Sequence, residues 1–445
     1  MSDLLTLGAS GLRAYSRALG TVGDNIANAQ TPGYARRTTK LEELAGTGEM
    51  TLYQTAGIVS GVRVTGYNRL TDQWLVDDSR IATADAGQTS ARLPWLTATE
   101  TGLAQGGSNV GTALTSLFNA ADQLTADPGN TTLRSNFLNA VDNTANAFRR
   151  TAGSLQSAAD GVSSAASTGV SQLNSDLAAL KRVNDGLLRA REGSPNQAGL
   201  LDERDRLLDS ISAAVPVSVS YDDKQTATVR LGGASGPVML DGPGGAQSFS
   251  VAAAADGRLT FSLSGAGVVA PPSGQLAGYG EAADHIATQR TKLDALATQV
   301  ATDLNAAHSA GTDANGNAGS PLFNLGSGAA TIAAVALTPD QVAAASGSSA
   351  NGNLLAFSAL RGAGGTEAGW AAIVAAQSQT VSTARAEDAA ASSRRDGAFN
   401  ARTEVSGVDL DREAADLLRF QQAYEGSARV IQVARETFQS ILNIL

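Results

Sequence analysis

The chain is predicted to be α+β, mainly α: an elongated multi-layer subunit with paired N- and C-terminal coiled-coil helices, a helical middle domain and an inserted small β domain. Three observations predict this. A seven-residue apolar beat occupies both ends, as Leu5, Leu12, Leu19 and Ile26, then Leu410, Leu417, Tyr424, Ile431, Phe438 and Leu445. Helical apolar spacing fills most of the interior. A stretch from Val217 to Val269 alternates apolar and polar residues between glycine-rich turns. A strict seven-residue spacing keeps a narrow apolar seam on one side of a helix, and such a seam is buried only against another helix.

The first seam is a poor helix by itself. Gly8, Gly11, Gly20 and Gly23 lie inside it, each costing about 1 kcal/mol against Ala. The second is a better helix former. Isolated helices are marginal in water, so both ends are expected to order only on packing against each other or against neighbouring subunits. The first helix stops at Thr31-Pro32-Gly33, because Pro disfavours helix in the residue before it and Gly allows a sharp turn.

Residues 36 to 70 alternate short apolar and polar runs, as in Gly57-Ile58-Val59-Ser60-Gly61-Val62-Arg63-Val64, and read as strands and turns. From about 71 to 214 the pattern is helical. Leu114, Leu117 and Phe118 share one face before the Asp127-Pro128-Gly129 break, and Leu173, Leu177, Leu180, Asn184 and Leu187 share another after it. The Gly193-Ser194-Pro195 turn precedes a helix at Leu200, whose run Asp202 to Asp209 reads as a solvated face. Strands follow at Val217, Val219, Tyr221, at Val229, Leu231, and at Leu259, Phe261, Leu263. Helical spacing resumes in Ile286, Leu293, Leu296, Val300 and Leu304. After Phe323 an Ala/Gly/Ser-rich stretch predicts loops with short helices, and a polar helix from Trp370 to Arg402 leads into the last seam. The expected domains are 1–35 with 405–445 as the terminal coiled coil, 36–215 with 276–404 as the helical middle, and 216–275 as the β insert.

Several function classes are excluded. A formal charge of -10 argues against nucleic acid, which requires a basic patch. There is no Cys, hence no disulfide or thiolate metal site. No cleavable signal and no apolar run of about 20 residues is visible, so no stable membrane insertion is expected. With two His, no H-E-x-x-H, nucleophile elbow, S-x-x-K, P-loop or G-x-G-x-x-G is present. Asp313-Ala314-Asn315-Gly316-Asn317 opens like a calcium loop. Ala318 and Asn324 stand where the turn Gly and bidentate Glu belong, so it reads as a solvated turn. No catalytic residue, cofactor or metal is expected.

Asn25-Ile26-Ala27-Asn28-Ala29-Gln30-Thr31-Pro32-Gly33-Tyr34, followed by Arg36, resembles the N-terminal signature of bacterial flagellar rod, hook and hook-associated proteins. Val408-Asp409-Leu410-Asp411, Leu418 to Tyr424, Ala428 to Gln432 and Ile441-Leu442-Asn443 resemble the matching C-terminal signature. Arg419-Phe420-Gln421-Gln422, the segment Leu200 to Leu208 and the segment Leu304 to Asn317 are most similar to the hook-associated protein 1 (FlgK) family. That resemblance implies a non-enzymatic adaptor ring between hook and filament. It also implies export through the flagellar type III channel, and as partners further copies of itself, hook protein, hook-associated protein 3 and the export chaperone FlgN. The chaperone is expected on Leu417, Tyr424 and Ile431, and the two apolar beats are the expected assembly seam. Asn25, Asn28, Thr31, Pro32, Gly33 and Tyr34 form the signature turn. A hook or distal-rod subunit is the alternative within the same superfamily, and a secreted peptidoglycan-acting hydrolase is a more distant one. Longer family members carry a further outer domain, which is expected to be absent here.

Overall fold

The structure is a computed structural model that describes residues 2–31, 33–43, 61–104, 106, 109–242, 244–362 and 364–443. Pro32, Gly57 to Ser60 and Leu445 lie outside the described residues. In chain order the elements are α1 (Ser2–Ala27), β1 (Arg37–Glu43), β2 (Val62–Arg69), α2 (Gln73–Ala104), α3 (Val110–Ala126), α4 (Thr131–Arg189) and α5 (Pro195–Ala214). Then come β3 (Val217–Tyr221), β4 (Ala227–Leu231), β5 (Val238–Leu240), β6 (Phe249–Ala253), β7 (Leu259–Leu263) and β8 (Gly267–Val269). The last are α6 (Gly274–Ser309), β9 (Phe323–Asn324), β10 (Ala333–Ala334), α7 (Gly352–Ala359), α8 (Thr366–Ser406) and α9 (Leu410–Leu442).

Local chemistry sets the helix ends. Asn109 caps α3 by accepting from the Thr112 N–H at 2.9 Å. Asn130 does the same for α4 from Thr132 and Leu133. Ser194 caps α5 from Gln197, with Pro195 in the first turn, where its missing N–H costs nothing. Asp409 caps α9 from Asp411 and Arg412.

The chain forms two compact units. The first comprises Met1–Ala84, Leu173–Ser248 and Ser392–Leu445; the second comprises Asp85–Gln172 and Phe249–Ala391. In the first, α1 lies along α9, the β1–β2 ribbon pairs antiparallel from Arg37 opposite Arg69, and β3, β4 and β5 make an antiparallel sheet. Asn184, fully buried in the apolar row of α4, donates to the Ala227 and Gly242 carbonyls and accepts from the Ala227 N–H. This polar peg fixes the sheet to the helix.

The second unit holds the largest core, built from Leu114, Leu117 and Phe118 of α3, Phe137 and Phe148 of α4, Leu293, Leu296, Val300 and Leu304 of α6, and Phe357 and Trp370. His308 is buried here. Its Nδ1 bonds the Ser320 carbonyl and its Nε2 accepts from the Ala343 N–H. One ring nitrogen donates and the other accepts, so the imidazole is held neutral, and burial lowers its pKa. Asn305 accepts from the Leu322 and Phe323 N–H groups. Together these side chains staple the irregular 311–345 segment to α6. The Asp313 carboxylate is taken up by the N–H groups of Asn315 and Asn317, as a turn requires.

Two expectations meet a different arrangement. Strands expected as one β insert divide between two three-stranded sheets, β3–β4–β5 and β6–β7–β8, and the compact units part between Ser248 and Phe249. Among the described residues each of these strands pairs only with its sequence neighbours, and no ladder joins β5 to β6. The terminal helices also share a unit with β1–β2, α5 and β3–β5, because an ion-pair network described below ties them together.

Candidate assembly site at the paired termini

Helices α1 and α9 run antiparallel: Gly8 lies at Ile431, Tyr15 stacks near Phe420 with ring centroids 6.4 Å apart, and Asn25 reaches Glu413. The contact is close because two residues of α1 lack a side chain. A Cβ on Gly8 would sit 2.5 Å from Ile431 Cγ1, and one on Gly11 2.5 Å from Ser427 Oγ. Sequence reasoning counts these glycines as helix weakeners; they are also seats for α9. Gly20 and Gly23 have nothing within 4 Å.

The face that joins the two helices has only Ile431 in common with the heptad rows. On α1 it is Gly8, Gly11, Ala14, Ala18, Val22 and Asn25; on α9 it is Glu413, Phe420, Ser427, Ile431 and Ala434. Leu5, Ile26, Leu410, Tyr424 and Phe438 remain exposed, and Leu12, Leu19 and Leu417 are half-buried. A strict seven-residue row drifts by about 20° per heptad around a straight α-helix, so it runs along the flank of the pair. The three chaperone candidates are split accordingly: Ile431 packs at Gly8 of α1, Leu417 is half-buried, and Tyr424 is exposed.

The signature turn is built by its own side chains. The Thr31 hydroxyl donates to Asn28 Oδ1, the Tyr34 N–H to the Thr31 carbonyl, and Asn28 Nδ2 to the Asp24 carbonyl. Gly33 has φ +80°, the left-handed region, and a Cβ there would touch Arg206. The φ is what favours Gly here, since a 3.4 Å approach to Arg206 is ordinary contact.

Asn25, 1% exposed, is fully used. Its Nδ2 donates to the Arg37 carbonyl at 2.9 Å and to Glu413 Oε2 at 3.0 Å. Its Oδ1 accepts from Tyr34 OH at 2.9 Å and from the Arg37 N–H at 3.1 Å. Glu413 is fully buried, and its other oxygen accepts from Arg36 Nε at 2.5 Å, while Arg36 Nη2 reaches Asp416 at 3.0 Å. The turn at one end of the sequence is thus bolted to α9 at the other. Burial pushes the Tyr34 hydroxyl up to about 12, against the opposing pull of Arg37, so it stays a donor.

Arg37 continues the network, stacking on Tyr34 and pairing with Asp202 of α5. Arg69, opposite Arg37 on the ribbon, reaches Asp202 at 2.8 Å and Asp205 at 2.9 Å. Arg204 pairs with Asp205 and lies over the Tyr221 ring. Arg80 of α2 and Arg402 of α8 share Asp209, at 3.0 and 2.8 Å. Burial alone would raise the Asp205 carboxyl, but the charges of Arg204, Arg69 and Arg80 outweigh it and hold it below the usual range. The run from Asp202 to Asp209 is therefore not a solvated face: Arg204 and Asp205 are buried. Its spacing looks amphipathic because the ribbon that covers it lies more than a hundred residues away in sequence.

No group of three or more His, Cys, Asp or Glu among the described residues is arranged to hold a metal ion, and no described helix is long and apolar enough to cross a membrane. Comparison with known proteins agrees with the geometry of the ends. Residues 5–34 match the flagella basal body rod protein family and residues 400–444 the C-terminal region of the flagellar basal body rod FlgEFG proteins. Helical termini paired in this way define an axial protein of the bacterial flagellum. Residues 96–323, just over half the chain, match the helical domain of flagellar hook-associated protein FlgK. The chain belongs to the FlgK family. Flagellar hook-associated protein 1 of Salmonella typhimurium is 28% identical over 340 residues, covering 74% of this chain and 60% of that protein. The chain thus spans about three fifths of this relative's length. The Bacillus subtilis protein of the same name is 24% identical, covering 97% of this chain and 96% of its own. The solved structure of the flagellar hook junction protein FlgK from Burkholderia pseudomallei aligns with a TM-score of 0.49 at 22% identity, covering 56% of this chain and 47% of that one.

Proposed function

We infer that this chain is the structural adaptor at the hook–filament junction. Its copies form a ring at the distal end of the hook, meeting hook protein on one side and hook-associated protein 3 on the other. They arrive from the cytoplasm through the flagellar type III apparatus, with the chaperone FlgN on Leu417, Tyr424 and Ile431 before folding. The role is structural, with no catalysis. The observation that carries this reading is the pair of apolar rows along α1 and α9: Leu5, Ile26, Leu410, Tyr424 and Phe438 stay exposed although both helices are already paired. Rows of this kind on a soluble protein mark a protein contact, and in a family of axial proteins the contact is with neighbouring subunits.

Electron micrographs of a strain lacking the gene test it. The expected result is complete hooks without filaments, with filaments restored by the chain. Absence of hooks would point instead to a hook or distal-rod subunit, and arrest of the rod in the wall would point to a hydrolase. Leu417→Ser, Tyr424→Ser and Ile431→Ser together should weaken chaperone binding by calorimetry; unchanged affinity would move that site.

A further inference from the structure

Two of the three tryptophans pack closely against a helical glycine. A Cβ on Gly161 would meet the Trp95 ring at 2.6 Å, and one on Gly111 the Trp370 ring at 2.5 Å. The third has no such seat among the described residues. Trp74 is 71% exposed, and Ile81, seven residues on along α2 and hence on the same side, is 60% exposed. Asp77 and Asp78, also exposed, lie between them. The first unit also carries the converse feature. Gly20 and Gly23 of α1 weaken that helix, have no left-handed φ to require them and have open space where a side chain would go. Beside them on α1 stand the half-buried Leu12 and Leu19 and the exposed Arg13 and Arg17. Neither arginine forms an ion pair among the described residues.

We propose that Trp74 of one copy seats on the Gly20–Gly23 face of α1 in a second copy of this chain. Ile81 then lies against Leu12, and Asp77 and Asp78 face Arg13 and Arg17. The spacings agree. Trp74 and Ile81 are about 10 Å apart along α2, and Gly20 and Leu12 about 12 Å apart along α1, with the charges between in both cases. The two faces differ, so the contact is head-to-tail and repeats from copy to copy, as a ring or helical array requires. It is also small. The exposed parts of Trp74 and Ile81 amount to roughly 300 Å², against about 800 Å² per partner for a stable complex. Free subunits therefore stay apart, and the contact closes only where an existing structure holds copies side by side. A buried Trp within an apolar and salt-bridged rim is the usual composition of an energetic centre in such contacts. This inference rests on the axial reading above.

Because the chain contains no cysteine, Trp74→Cys with Gly20→Cys supplies the only thiols. Hook–filament complexes from cells relying on this variant should yield a ladder of covalently joined copies with a short bis-maleimide, absent from either single variant. Complexes that assemble normally and give no intersubunit product overturn the proposal. If the double-cysteine chain does not assemble, charge exchange decides. Asp78→Arg and Arg17→Asp, each with an unchanged melting curve as free subunit, should each reduce filament-bearing cells at least tenfold and together restore them. Tolerance of both single changes, or no recovery in the pair, overturns it. If the axial reading itself is wrong, the unmodified chain fails to restore filaments, which separates the two failures.

Discussion

Glu413→Leu is the sharpest perturbation of the bolt between the two ends of the sequence. The carboxylate is fully buried and holds Arg36 on one oxygen and Asn25 on the other. Removing it leaves the Arg36 guanidinium, 9% exposed, with Asp416 as its remaining acid. Breaking a buried pair costs about 3–5 kcal/mol. Asp416 is partly exposed and retains one contact, so the lower end applies, about 3 kcal/mol. Replacing both partners by apolar groups of similar volume removes the stranded charge, and such exchanges are often close to neutral. Arg36→Met with Glu413→Leu should therefore recover at least half of the loss, and the coupling from the double-mutant cycle should exceed about 1.5 kcal/mol. The assay is native-state hydrogen exchange of amides in α1 and α9, with those of α3 and α6 in the second unit as an internal reference. A loss below about 1 kcal/mol for Glu413→Leu, or strictly additive single changes, would refute the idea that this pair holds the termini together.

Four further outcomes are expected. Gly8→Leu should cost about 1–3 kcal/mol in the opening of α1 from α9, since its branch enters the Ile431 contact; Gly23→Ala, with open space, should stabilise the free subunit by a few tenths to about 1 kcal/mol. Gly33→Ala should cost about 1–2 kcal/mol by placing a side chain at φ +80°, read from a urea midpoint. His308 has a folded pKa below its ordinary value of about 6.5, so the unfolded chain takes up the proton first. Its neutral-state contribution is complete above about pH 6.5 and is lost as pH falls below it. The melting temperature of the second unit should drop between pH 7 and 5, and the drop should shrink in His308→Gln. Leu12→Ala with Phe438→Ala should be exported and folded yet fail to cap hooks, with Glu425→Ala tolerated; equal filament growth would remove the heptad rows from assembly.

Much of the helical framework is legible in the sequence. The breaks at Asp127-Pro128-Gly129 and Gly193-Ser194-Pro195 fall where α3, α4 and α5 end or begin, because Gly, Pro and capping residues act within a few positions of themselves. The signature turn is readable from its residue types. What binds it is not: Glu413 lies 388 residues from Asn25, and nothing in its helical context marks it as buried. Gly8 and Gly11 look like Gly20 and Gly23 on paper, and only the position of α9 separates a seat that is filled from one that is open. Arg204 and Asp205 read as surface charges until the ribbon carrying Arg69 is placed beside them.

The Asn25–Glu413 bond also turns the intervening sequence into a closed loop of 388 residues. The entropy of closing a loop grows only with the logarithm of its length. Lengthening this one by half would raise the closing cost by about 0.4 kcal/mol, far less than the roughly 3 kcal/mol that breaking the buried pair costs. Material inserted at a surface turn inside the loop therefore hardly strains the bolt.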